Sequence, residues 1–188
     1  MNVKILATAL VASMTLSLSA EMKIGTVDLM LLVKNHPNYE SNKTLLTSTD
    51  KDYQKKLEGI KAEGDKVQDE GKKLMEQMRN PMLTAKAKAD VEKQLTDIQQ
   101  QLMGIEQRYR SEAMRCRQDL QDLEGRLLKT TTDDLRKRIA KYASAKGYDL
   151  IVDKNATAYS AQTLDVTDEM LKELGVDPKE AKGRDEGK

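Results

Sequence analysis

The chain has 188 residues, 34% of them charged, with Lys plus Arg at 32 against Asp plus Glu at 31, a formal net charge of +1. So balanced a chain carries no net field to attract polyanions, and with Phe and Trp absent and six Tyr as its only aromatics it lacks a base-stacking surface, so nucleic-acid binding is not expected. The same composition cannot fill a broad globular interior but suits an elongated helical protein, which needs only a narrow apolar seam.

The chain opens with Met1-Asn2-Val3-Lys4, a short basic start. Ile5 to Leu18 is apolar or small with no acidic residue, and Ser19-Ala20 offers small residues for cleavage before Glu21. This pattern predicts a signal peptide over residues 1–20 and export to a bacterial periplasm, the run being too short and too weakly flanked for a stable membrane span. Next, Met22 to Leu29 alternates as a strand does, and Leu29 to Lys34 offers a helical turn before His36-Pro37.

From Tyr53 the apolar or small positions run Tyr53, Leu57, Ile60, Gly64, Val67, Gly71, Leu74, Met78, alternating steps of four and three as a heptad seam does. The pattern stops before Arg79-Asn80-Pro81, where proline ends a helix. A second seam follows, Val91, Leu95, Ile98, Leu102, Ile105, Tyr109, Ala113, Cys116, Leu120, Leu123, Leu127; its two successive steps of four around Tyr109 should relax the supercoil locally. Leu135, Ile139 and Tyr142 carry the helix on toward Gly147, a natural terminator. Two seams around a tight turn predict an antiparallel helical hairpin. Glycines replace seam side chains at Gly64 and Gly71, and each costs roughly 1 kcal/mol relative to alanine inside a helix, which points to arms that bend.

Beyond Gly147 the apolar run Tyr148 to Val152 reads as a strand, Asp153-Lys154-Asn155 as a turn, and Ala158 to Thr163 as a third strand. Thr167 is placed to cap a short helix from Asp168 to Leu174, closed by Gly175; the charged tail from Asp177 is expected to be disordered. Three short strands offer too little apolar surface to stand alone, and their edges invite pairing with other chains. Ile24, Val27, Leu150, Ile151, Val152 and Tyr159 are therefore the candidate oligomerisation residues. The organisation expected is a small strand-built body from residues 21–37 and 143–176, a helical arm over 38–142 with its tip at about 79–84, and a tail over 177–188. Its class is α+β, mostly α.

Nothing in the sequence points to catalysis. His36, the single histidine, precedes a proline and reads as a linker residue; Cys116, the single cysteine, falls on a seam position and reads as a small buried hydrophobe. No phosphate loop, nucleophile elbow or metal-spaced carboxylate cluster is found, so no catalytic residue, cofactor or metal is expected. Asn155-Ala156-Thr157 fits a glycosylation acceptor but is better explained as a turn. Met75, Met82, Met103 and Met114 lie on the arms, and methionine, flexible and polarizable, suits varied apolar partners. Arg79, Lys86 and Lys88 near the tip read as plain solvation.

The blocks Lys23-Ile24-Gly25-Thr26-Val27-Asp28, Tyr148 to Tyr159 and Asp165-Val166-Thr167-Asp168-Glu169-Met170-Leu171, bracketing a long hairpin, resemble the Skp/OmpH family of periplasmic chaperones. The resemblance implies a homotrimer shaped like a jellyfish, whose arms enclose a cavity and hold unfolded outer-membrane proteins there without ATP. Members of that family are often strongly basic, whereas acidic and basic residues nearly balance on these arms; client capture would rest less on charge, and membrane-surface contact loses its electrostatic basis. The other reading of the same hairpin is a rod, a structural spacer or adaptor of the cell envelope.

Overall fold

The computed structural model describes residues 22–181; the expected signal peptide and residues 182–188 lie outside that range. A first strand, β1 (Ile24–Val27), is cut short by Asp28, whose Oδ1 accepts the Leu31 amide at 2.9 Å and starts α1 (Leu29–Lys34). This helix cap is why the strand does not run on to Leu29. Helix α2 (Tyr39–Met78) and helix α3 (Ala85–Lys146) follow, joined through residues 79–84. At 1.5 Å per residue they reach about 60 Å and about 93 Å. α2 begins well before Tyr53, through a polar stretch where the heptad gives no signal. Thr84 caps α3, its Oγ1 accepting from Ala87, and Gly147, at φ 69°, ends it in the left-handed conformation that glycine adopts without strain.

The chain then returns as β2 (Leu150–Asp153), which pairs in parallel with β1, Ile24 opposite Leu150 and Val27 opposite Asp153. Lys23 fastens the two ends of the chain together. Its backbone N–H donates to Asp149 Oδ2 at 2.8 Å, its ammonium donates to the Lys146 carbonyl at 2.8 Å, and it lies 4.1 Å from the centre of the Tyr148 ring.

The expected third strand is absent among the described residues. Residues 158–161 have no ladder partner, and short 3-10 turns at Lys154–Ala156 and Gln162–Leu164 flank them. The free side of β1 is taken instead by Asp165 and Val166: Thr26 bridges Asp165, and the Val166 N–H donates to the Thr26 carbonyl at 2.8 Å. Ala158, Ser160 and Ala161 are too small to compete for that edge with Val166, which buries its side chain.

Helix α4 (Thr167–Glu173) also starts differently from the expectation. Val166 is its N-cap, and the Thr167 hydroxyl is used elsewhere, accepting the Asp28 N–H at 2.9 Å and donating to Asp165 Oδ1. Asp165 does the capping, accepting the Thr167 N–H at 2.9 Å. The tail is a further correction. Asp177 accepts the Lys179 N–H at 2.8 Å, residues 178–181 form a helical turn, and Ala181 is fully buried.

One core holds the body together. Leu31, Leu32 and Val33 of α1, Leu135 of α3, and Met170 and Leu171 of α4 close around Val27 and Val166, with Ile139, Tyr142 and Ile151 packed against them. The end of α3 is therefore part of the body, and the rest of it is the arm.

Candidate functional site

Two glycines set the register of the arm. A Cβ at Gly71 would sit 3.1 Å from Ile98 Cγ2, and one at Gly64 would sit 3.4 Å from Ile105 Cγ2. Ile98 thus packs into space that a side chain at Gly71 would need, whereas Ile105 leaves room for one at Gly64. Whatever bending the glycines allow, here they let the helices approach closely, and α2 runs unbroken through both.

Successive helix residues are rotated by about 100°. In an antiparallel pair, residues immediately before a seam position on either helix therefore fall on one face, and residues immediately after fall on the other. The ion pairs obey this rule. Lys56 and Glu112 precede Leu57 and Ala113, Glu63 and Arg108 precede Gly64 and Tyr109, and each pair meets across the helices. The Lys56 ammonium holds the Glu112 carboxyl below the usual carboxylate range. Also on this face an open cleft of about 550 Å³ is lined by Glu63, Lys66, Val67, Glu70, Gln101, Gly104, Ile105 and Arg108.

The opposite face is largely charged too, with Glu58, Lys61, Lys72, Glu106, Arg110 and Arg117 on it, but four exposed apolar side chains stand among them. Met75 follows Leu74, Met103 follows Leu102, Met114 follows Ala113 and Leu128 follows Leu127; their exposures are 53%, 63%, 75% and 49%. With Gly71 facing Ile98, Met75 lies opposite residue 94, so the four form a sparse row spread over about 50 Å of the arm, at intervals of roughly 14 to 21 Å with charged side chains between them. Met82, at the tip, is 87% exposed. Leu45, which precedes Leu46, is also exposed and belongs to the charged face. The sequence singled out the methionines but not Leu128 or the shared face. Both were readable from the offset of one residue after each seam position.

The arm joins the body through a contact with no sequence signal. His36 is buried between α1 and α2. Its Nδ1 accepts the Asn38 N–H at 3.1 Å, so the ring proton sits on Nε2 and is donated to Asp134 Oδ2 at 3.1 Å. Arg138 Nε donates to the same oxygen at 2.7 Å, and Arg138 first, then His36, hold the Asp134 carboxyl below its ordinary range. His36 is in the linker, as expected, but as an anchor between elements 98 residues apart. Cys116 is buried in the seam with its Sγ 3.9 Å from Glu112 Oε1.

The residues expected to mediate assembly divide. Ile24 and Leu150 are exposed and Ile151 and Val152 are half-buried, whereas Val27 is buried in the protomer's own core. Tyr159 is largely exposed and lies outside any strand. Within the sheet, β2 has a neighbour on one side only, β1. Among the described residues no group of three or more His, Cys, Asp or Glu could hold a metal ion, and no helix is long and apolar enough to cross a membrane.

A body in which both chain ends meet, carrying one long hairpin, is the arrangement that the family comparison addresses. The family model described as "Outer membrane protein (OmpH-like)" matches residues 23–174. The chain belongs to the OmpH-like family. The OmpH-like match runs from the residue before β1 to the residue after α4, and so includes the arm with its exposed methionines. It stops short of the turn at 178–181, so burial of Ala181 lies beyond the OmpH-like region. No individual curated protein matches the chain.

Proposed function

We propose that this protein is an ATP-independent periplasmic holdase, a homotrimer that keeps unfolded outer-membrane proteins soluble between its arms. Membership of the OmpH-like family supports a non-enzymatic, periplasmic chaperone of outer-membrane proteins at the level of the family. The observation that carries the finer reading is the row of exposed apolar side chains, Met75, Met103, Met114 and Leu128, set among charged residues on one face of the arm. Widely spaced, flexible side chains make many weak contacts and no deep pocket, which suits a client with no fixed shape. Capture is stoichiometric: binding the unfolded chain lowers the free concentration available to aggregate. The unpaired side of β2, a strand that carries the exposed Leu150, supports self-assembly, since an open strand edge is a ready template for pairing with another chain.

Light scattering on a sizing column tests both halves, with the protein run alone and after mixing with a urea-diluted β-barrel protein without nucleotide. The expected result is a trimer that holds one client in solution, and a Met75→Gln/Met103→Gln/Met114→Gln variant that is still trimeric but retains much less. A trimer that ignores the client would replace the holdase with the envelope spacer or adaptor, the reading that the near-neutral arms favour. A monomer in both runs would remove the assembly.

A further inference from the structure

We propose that the exposed methionines of the arm are a redox modification site, converted by hypohalous acids to methionine sulfoxide, and that this conversion turns client capture off. The inference about capture rests on the holdase reading; the modification site does not.

Three of the four side chains in the row are thioethers, and the tip adds a fourth in Met82. The chain has no Phe or Trp, and once the sulfurs are oxidised Leu128 is the one apolar side chain left in the row. Sulfoxide formation turns a flexible apolar side chain into a polar one, and dedicated reductases reverse it. In the step itself the sulfur lone pair attacks the chlorine of hypochlorous acid, forming an S–Cl bond as the O–Cl bond breaks and hydroxide leaves. Water then displaces chloride from sulfur, an S–O bond forms and the water's protons are lost, one to the hydroxide; sulfur is oxidised and chlorine reduced to chloride. The usual competitor, a thiol, is withdrawn here, because Cys116 is buried in the seam. Two methionines are built-in controls: Met170 is fully buried in the body core and Met78 is half-buried in the seam. Met22 and Met30 in the body are exposed as well and will oxidise, but they lie off the arm.

The test has two readouts on the purified protein. Sub-stoichiometric hypochlorous acid is added and quenched, and peptide mass mapping follows the gain of one oxygen at each methionine. Met82, Met114, Met103 and Met75 are expected to react ahead of Met78, and Met170 last; oxidation of Met170 alongside the arm residues would overturn the site. The second readout is retention of a urea-diluted β-barrel protein, added after quenching. Oxidised protein is expected to bind about ten-fold more weakly. A Met75→Leu/Met82→Leu/Met103→Leu/Met114→Leu variant, whose volumes are nearly conserved, is expected to retain as much client after the treatment as its own untreated sample does, whatever that starting level, with circular dichroism checking that its helices persist. Equal loss in the variant, or no loss in the oxidised parent, would overturn the switch. If untreated protein retains no client, the holdase reading fails, and the mapping alone still decides the modification site.

Discussion

The body and the arm bury their side chains to different depths. In the body Leu32, Leu135, Met170 and Leu171 are fully removed from solvent, because α1, α3, α4 and the sheet surround them on all sides. In the arm each helix has one neighbour. Even the best-covered seam residues, Cys116, Val91, Ile60 and Ile98, keep a trace of exposure, and Leu57, Val67, Leu95 and Leu102 are half-buried. Stability is therefore concentrated where the chain ends meet, while the arm is held by many shallow contacts along its length. Such a gradient lets one end hold a fixed geometry while the other yields locally.

The largest expected effect compares one side chain from each region. Leu135→Ala should cost about 2–5 kcal/mol in urea unfolding, the range for a fully buried leucine, and Leu95→Ala in the half-covered seam should cost less than about 2 kcal/mol. Equal costs would mean that the arm is packed as tightly as the body. A smaller effect of opposite sign separates the two seam glycines. Gly64→Ala gains helix propensity of up to about 1 kcal/mol and makes an ordinary contact with Ile105. Gly71→Ala must push Ile98 aside by a few tenths of an ångström and should gain less. Hydrogen exchange along α2 and spin-label distances across the arm would read both, together with any stiffening. If Gly71→Ala stabilises the arm more than Gly64→Ala, the register has been misjudged.

The smallest effect is set by pH and belongs to the body. Burial pulls the Asp165 carboxyl upward, but hydrogen bonds from Lys154 and Thr167 outweigh it and leave the group below the ordinary value of 3.8. A carboxyl lowered by folding stabilises the folded state fully above its unfolded value, and the contribution fades as pH falls through the lower folded value. Acid below about pH 4 should therefore weaken the body, and Asp165→Asn should flatten that part of the stability profile. An unchanged slope would show that the Asp165 contacts add nothing to the body.

The parts of the molecule that were legible beforehand are those governed by periodicity. The hairpin follows from the steps of four and three, its turn from Asn80-Pro81, and the end of α3 from Gly147. Tyr109, at the double step of four, is exposed, unlike the seam residues Ile105 and Ala113 on either side of it. What escaped depends on competition between distant segments. Residues 158–161 are extended enough to pass for a strand, yet the edge of β1 goes to Asp165 and Val166, which bring a bridging backbone and a buried side chain. His36 finds Asp134, and Thr167 finds Asp28, over separations that no local pattern encodes. Ala181 carries no signal at all, since one alanine in a charged tail matters only when a core lies ready to receive it.

The parallel pairing of β1 with β2 also fixes an order of events. Lys23 and Asp149, whose hydrogen bond borders the sheet, are 126 residues apart in the chain. The partner for the first strand is therefore synthesised only after the whole hairpin. The hairpin closes through a short turn and local contacts, whereas the sheet must wait for a long loop to be drawn shut, the slower kind of step. The hairpin can thus close before the sheet does, and the body, with the free edge of β2, is the part whose pairing partners come together last.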